Sequence, residues 1–267
     1  MAASWMRFFL ILLIILTVGM MIGVLLQLAF IRRLEDSYGA KSSLSRAQSL
    51  NADVSYWGDK EAAALRLGYV KPEVISWSPR IIVFHNFLSP EECDYLRAIA
   101  KPRLQGMKSK VRTSSGMFLT VEERKYPMIE TIEKRISVYS QVPVENGERI
   151  QKHRYEKGEL YRPHHDYFSD TFNLKHGGQR VATMLMYLSD NVEGGETYFP
   201  QAGTGECSCG GEKVPGLCVK PVKGDAVLFW SMGLDGKSDP NSLHGGCAVL
   251  SGEKWSATKW MRQSITS

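Results

Sequence analysis

The 267-residue sequence has no Asn-x-Ser/Thr sequon, so lumenal residence gets no support from glycosylation. It has no Lys/Arg-rich run, and a net charge of +5 describes a solvated, mildly basic surface rather than one built for nucleic acid. No internal repeat is present; the Gly-Gly pairs at 177, 194, 210 and 245 are irregularly spaced and read as turns. Cysteine is scarce, with five residues and none before Cys93. Cys207-x-Cys209 followed by Cys218 lacks the two pairs that complete a tetrahedral zinc site. Disulfides in an oxidising lumen fit better, and with Cys247 the odd total leaves at least one thiol free or shared between chains, the connectivity being open. The terminal RQSITS carries no retention signal, which leaves the endoplasmic reticulum and the Golgi both open.

A long apolar run is present. Residues 8–31 read FFLILLIILTVGMMIGVLLQLAFI, twenty-four positions without a charge, enough to cross a bilayer. A cleaved signal peptide is the competing reading, but the run exceeds the usual apolar core of such signals and no clean small-x-small site follows. An uncleaved signal anchor at 8–31 is expected, with 1–7 as a short cytoplasmic tail. Local charge does not settle orientation: Arg7 flanks one side, and Arg32 and Arg33 the other. Residues 32–79 read as a polar, Ser-rich lumenal stem with a short helical stretch near Lys60–Leu67.

The catalytic domain is expected over 80–267. IIVFHNF suggests a strand, and Ser89-Pro90-Glu91-Glu92 has the form of a capping box opening a helix to about Ala100. The segment 106–116 carries Lys108, Lys110 and Arg112 and reads as a loop of the lid or binding type. A second helix is expected around Tyr126–Ser137. From Ile150 on, short strand-like runs alternate with glycine turns. The fold class expected is mainly β with N-terminal helices (α+β), its core a double-stranded β-helix of the jelly-roll and cupin kind.

Within that core, His164 and Asp166 are two apart on an extended stretch and point the same way. A distant histidine, His244, closes a facial triad of the kind that binds Fe(II) in non-haem oxygenases and leaves positions for substrate and dioxygen. His165, between the ligands, is expected to face away. In the last strand Lys254, Ser256, Thr258, Trp260 and Arg262 share a face, so Lys254 can point inward as a cation for an acidic co-substrate.

With these residues assembled, the chain resembles the prolyl 4-hydroxylases of the membrane-anchored plant type. The resemblance covers about residues 80–263 through RYEKGELYRPHHDYF, GGQRVATMLMYLSD, EGGETYFP, VKPVKGDAVLFWS and HGGCAVLSGEKWSATKW. It implies that His164, Asp166 and His244 ligate iron and that Lys254 pairs with the far carboxylate of 2-oxoglutarate. Tyr155 and Thr183 correspond to residues lining that co-substrate pocket. Arg180, Trp260 and Arg112 are candidates for the peptide side, with the 106–116 loop closing over the substrate. The cysteine-bearing insert 205–218 departs from the family's pattern and puts its disulfides in doubt.

The implied activity is 2-oxoglutarate-, Fe(II)- and O2-dependent 4-hydroxylation of peptidyl proline, releasing succinate and CO2, with L-ascorbate as a further cofactor. The implied partners are proline-rich secretory polypeptides, hydroxyproline-rich glycoproteins or collagen-like chains, met by a type II single-pass enzyme whose domain is lumenal. Such segments favour polyproline II, which an aromatic groove suits. Tyr161, Tyr167, Tyr187, Trp230 and Trp260 are the aromatic candidates. An oxygenase acting on another residue, such as lysine, or a silent tethered peptide-binding module are the alternatives.

Overall fold

The computed structural model describes residues 60–106 and 111–266, together with 5, 17, 19–22 and 25. The chain divides into Met1–Lys60 and Glu61–Ser267. The expected tail, anchor and stem up to residue 59 lie largely outside the described residues. Among the described residues no helix is long and apolar enough to cross a membrane.

The larger unit is mostly strand. In chain order these are β1 (Lys71–Trp77), β2 (Arg80–His85), β3 (Gln105–Gly106), β4 (Ser115–Phe118), β5 (Gln151–Tyr155), β6 (Tyr161–His164), β7 (Arg180–Tyr187) and β8 (Glu193–Gly194). There follow β9 (Thr197–Phe199), β10 (Glu206–Cys209), β11 (Glu212–Pro215), β12 (Leu217–Val219), β13 (Ala226–Trp230), β14 (His244–Gly246), β15 (Val249–Ser251) and β16 (Lys254–Arg262). Helix α1 spans Pro90–Ala100 and α2 spans Pro127–Ser140. Eight strands form the major sheet in the order β1-β2-β13-β7-β16-β5-β4-β3, and four form a minor sheet, β12-β9-β14-β6. The mainly β, jelly-roll expectation is met. Within the expected stem, Lys71–Trp77 forms β1, which pairs antiparallel with β2 across the turn at 78–79 and joins the major sheet.

Strand alternation sorts the major sheet into two faces. On one, Ala182, Met184, Met186, Ala226, Leu228, Ala257 and Met261 pack against Leu96 of α1 and Ile129, Ile132 and Ile136 of α2. On the other, Ile81, Val83, Val227 and Phe229 meet Phe199 of the minor sheet. Both faces are therefore covered, which is why β7 and β13 read as nearly continuous apolar runs.

Local chemistry fixes the helices. The Ser89 hydroxyl accepts from Glu92 N at 3.2 Å while the Glu92 carboxylate accepts from Ser89 N at 2.8 Å, with Pro90 in the first turn. The same Glu92 takes both terminal nitrogens of Arg135 on α2, each at 2.7 Å. Arg135, 1% exposed, also donates to the Phe87 and Ala64 carbonyls. One ion pair thus welds the helix layer together.

Removing one member of such a pair leaves a buried charge unmatched, a loss of about 3–5 kcal/mol. Arg135→Ala is expected to lower the unfolding free energy by that amount in denaturant titration, and a change within about 1 kcal/mol of zero would show the pair to be structurally idle.

Candidate active site

The cavity lies between the two sheets. Its lining includes His153 and Tyr155 of β5, Thr183 and Leu185 of β7, Phe229 of β13 and alternate residues Lys254, Ser256, Thr258 and Trp260 of β16. From the minor-sheet side come Tyr161, His164, Asp166, Thr197, His244, Gly245 and Gly246. The non-atom space within the cavity comes to about 480 Å³ when the part shared with open solvent is counted.

His164 and His244 face each other across the β6–β14 register, with ring centroids 4.4 Å apart. Asp166 follows two residues beyond β6; its oxygens lie 3.6 Å from Nε2 of each histidine. One ligand atom from each residue falls within 4.8 Å of the others. The ring orientations are set by backbone: Nδ1 of His164 lies 2.9 Å from the Arg162 carbonyl, and Nδ1 of His244 lies 3.0 Å from that of Ser242. With Nδ1 carrying the proton to a carbonyl, Nε2 is left as a free lone pair, the form a metal requires. Thr183 Oγ1 donates to Asp166 Oδ2 at 2.7 Å and fixes the carboxylate.

Electrostatics agree. Burial pushes His244 down to about 4, keeping it neutral. Burial opposes ionisation of Asp166, but His244 and His164 outweigh it and hold the carboxyl far below the usual range. A neutral His244 and an ionised Asp166 are protonation states that suit a metal site. The donor set fits an iron(II) of the facial-triad type.

Close packing keeps the two ligand strands together. A Cβ on Gly245 would stand 2.9 Å from the Tyr161 carbonyl and 3.1 Å from Pro163 N, so only glycine lets β14 lie this close to β6. Phe229 and Phe199 pack on the His244 ring at 4.4 and 5.9 Å between centroids.

Lys254 is 4% exposed and faces the cavity, with Nζ 5.5 Å from the centroid of Tyr155 and 5.7 Å from that of Tyr187. A Cβ on Gly246 would lie 3.8 Å from that Nζ, which places the ammonium against the strand carrying His244. No carboxylate lies within ion-pair distance of it among the described residues. Burial, offset in part by Glu196, brings its pKa down to about 8. Burial also pushes Tyr155 up to about 12, so its phenol stays a donor. A buried cation without an anion, beside a phenol, fits a dicarboxylate ligand such as 2-oxoglutarate.

Behind the cavity wall, Arg180 donates twice to Glu148 at 2.7 Å and lies over Trp260 at 4.0 Å from its centroid. Arg112 stacks on Tyr161 at 4.9 Å, and Tyr161 on His164 at 3.7 Å. Residues 107–110 of the expected closing loop lie outside the described residues.

The structure brings His164, Asp166, His244, Lys254, Tyr155, Thr183, Arg112 and Trp260 to one cavity, with Arg180 behind Trp260. His165 faces away, its Nε2 lying 3.0 Å from the Pro240 carbonyl. Three aromatic candidates stand elsewhere. Tyr187 is fully buried and bonded to Thr197, Trp230 lies beneath Arg80, and Tyr167 stacks on His165. Arg262, expected to share the inner face of β16, follows a register shift after Met261 and bonds Glu148 instead. Sequence reasoning missed Thr197, Glu148 and His153. His153 carries the same alternation signal as Tyr155, but Glu148 precedes β5 and Thr197 comes from a three-residue strand, so neither has a pattern to read.

Residues 150–262 match the family model described as the 2OG-Fe(II) oxygenase superfamily. Prolyl 4-hydroxylase 1 of Arabidopsis thaliana is 68% identical over 273 residues, spanning 96% of this chain and 96% of the relative. Probable prolyl 4-hydroxylase 3 of the same plant is 53% identical over 71% of each chain. Among solved structures, the 2OG complex of viral collagen prolyl hydroxylase from Paramecium Bursaria Chlorella virus-1 matches with a TM-score of 0.55 at 29% identity, covering 68% of this chain and 95% of that chain.

Loss of an orienting partner behind a metal ligand typically costs 10–100-fold in affinity. Thr183→Val is therefore expected to weaken Mn(II) or Fe(II) binding by about that factor in calorimetric titration, the fold unchanged by circular dichroism. Wild-type affinity in the variant would free Asp166 of any dependence on Thr183.

Proposed function

This chain belongs to the prolyl 4-hydroxylase family of 2-oxoglutarate- and Fe(II)-dependent oxygenases, and from that membership we propose specific tasks for its own residues. His164, Asp166 and His244 hold the iron through Nε2, a carboxylate oxygen and Nε2. Lys254 and Tyr155 hold the distal carboxylate of 2-oxoglutarate. The observation that carries this reading is a buried, unpaired Lys254 in the same cavity as the triad. Bound iron, 2-oxoglutarate and O2 together supply the oxidising chemistry that places one oxygen atom on C4 of a prolyl ring and the other in succinate, with loss of CO2.

The protein's share is position and dryness. The Arg162 and Ser242 carbonyls keep the histidine tautomers fixed, and Thr183 keeps Asp166 turned inward. Leu185 and Phe229 line the floor and exclude water, which strengthens the charge pairing of Lys254 with its ligand. Tyr161, Trp260 and Arg112 form the side over which a polyproline II segment lies, with Arg180 backing Trp260, and the segment's preformed shape leaves little entropy to lose.

The substrate class we assign is proline-rich secretory polypeptide, of the hydroxyproline-rich glycoprotein or collagen-like kind. The apolar run at 8–31 supports a type II anchor, with 1–7 cytoplasmic, 32 onward lumenal, and the endoplasmic reticulum or Golgi as the compartment. Disulfides at Cys207–Cys218 and Cys209–Cys247 suit an oxidising lumen. Ascorbate dependence is part of the same reading.

Given Fe(II), ascorbate and a polyproline peptide, the protein is expected to add one oxygen to proline, as read by mass spectrometry, only when 2-oxoglutarate is present. Succinate formed without a hydroxylated peptide would discard polyproline as the target. Lys254→Ala is expected to raise KM for 2-oxoglutarate about 10–100-fold, the worth of a charge-assisted hydrogen bond. Because Lys254 titrates near 8 and only its protonated form attracts the dianion, wild-type KM should be flat below that pH and climb above it. A KM that rises on acidification between pH 8 and 7 would contradict the assignment.

A further inference from the structure

His153 lines the cavity from the middle of β5 and is 3% exposed. Across the sheet it pairs with Ser256 of β16 on one side and Gly116 of β4 on the other. Tyr155, next on the same face, is 6.2 Å away between ring centroids. The Nδ1 of His153 is enclosed and has no hydrogen-bond partner among the described residues. A buried polar atom left unmet costs about 1–3 kcal/mol. An apolar side chain of similar size would occupy this strand position without that cost, so folding alone gives no reason for an imidazole here.

The cavity's other polar groups say what it can meet. Lys254 and Arg112 both act on His153 electrostatically, and burial together with these cations pushes the ring down to about 3, leaving it neutral. A neutral imidazole adds no repulsion to Lys254, yet its single N–H can donate to an anion. A site that already offers a buried ammonium and a phenol thus offers a third donor on the same wall.

We propose that His153 is a co-substrate-binding residue whose Nδ1–H donates a hydrogen bond to a carboxylate oxygen of bound 2-oxoglutarate. This rests on the reading of the cavity as the 2-oxoglutarate site. The contact gives the enclosed Nδ1 of His153 a partner, and it orients the dianion from β5 while Lys254 holds it from β16.

The test uses the full chain with Fe(II) under argon, so that binding is read without turnover, and compares wild type, His153→Leu, His153→Asn and Lys254→Ala. Tryptophan fluorescence titration with 2-oxoglutarate gives the Kd, and thermal unfolding without ligand gives the intrinsic stability. His153→Leu is expected to raise Kd about 10–100-fold with no loss of melting temperature, and His153→Asn, which keeps an N–H near the Nδ1 position, to recover most of the affinity. A Kd within twofold of wild type for His153→Leu would overturn the proposal, as would a loss that asparagine does not relieve. Should the leucine variant fail to fold, His153→Met carries the same comparison. If wild type and Lys254→Ala bind 2-oxoglutarate equally, the cavity assignment itself falls, and the His153 contact with it.

Discussion

Side chains two apart along a strand share a face, and in the eight-stranded sheet both faces are covered. Everything else follows from how that alternation is spent. On β16, Trp255, Ala257, Lys259 and Met261 turn to the helices, while Lys254, Ser256, Thr258 and Trp260 turn to the cavity. On β5, Lys152 and Arg154 face outward from the cavity, and His153 and Tyr155 face into it. A shift of one residue in either register would exchange core for chemistry, so the apolar packing under α1 and α2 also aims Lys254. Stability and function are two sides of the same strands.

The two lysines of β16 show how charge is divided between those sides. Lys259 lies 2.6 Å from Glu133 of α2, which also takes Arg124, so its charge is matched within the fold. Lys254, equally brought down to about 8 by burial, has no such partner and looks into open volume beside a phenol. A buried ammonium costs several kcal/mol unless paired. Matched charge on the helix side builds the frame; unmatched charge on the cavity side awaits a ligand. Lys152 is a partial exception, since its Nζ also lacks a hydrogen bond, but it lines no cavity and Glu123 acts on it electrostatically.

Much of this is legible in the sequence where one local rule decides. Ser89 and Glu92 announce α1 through a capping box that the structure reproduces atom for atom. His164 and Asp166 reach one cluster because they are two residues apart, and Lys254 turns inward because β16 is long enough to keep its alternation. Legibility fails where pairing partners are distant or strands short. β1 is exposed along most of its length and gives little apolar pattern, yet it joins the major sheet through hydrogen bonds to β2. Thr197 and Glu148 meet their partners only through the closed fold. Aromatic residues mislead for a related reason: Tyr187 and Trp230 carry the same composition signal as Tyr161 and Trp260, but Tyr187 is fully buried and Trp230 packs on the helix-side core, so only the latter two line the cavity.

The minor sheet raises a separate question of rigidity, because strands of three or four residues have few ladder bonds with which to hold an iron ligand in place. Two features substitute for length. Gly245 allows β14 to approach β6 more closely than any side chain would permit, locking His244 against His164. Cys247, three residues after His244, is tied to Cys209 across a separation of 38 residues, and Cys207 to Cys218 across 11. In the chain-entropy model loops of those sizes are each worth about 3–4 kcal/mol. The hairpin of β10 and β11 thereby clamps the strand that carries the third ligand, while Cys93, the remaining thiol, sits inert in the core with its pKa pushed up to about 12 by burial. The major sheet can rely on packing to aim Lys254 and Tyr155. The ligand-bearing sheet relies on covalent and steric constraint, and the cysteine-bearing segment 205–218 supplies the covalent part.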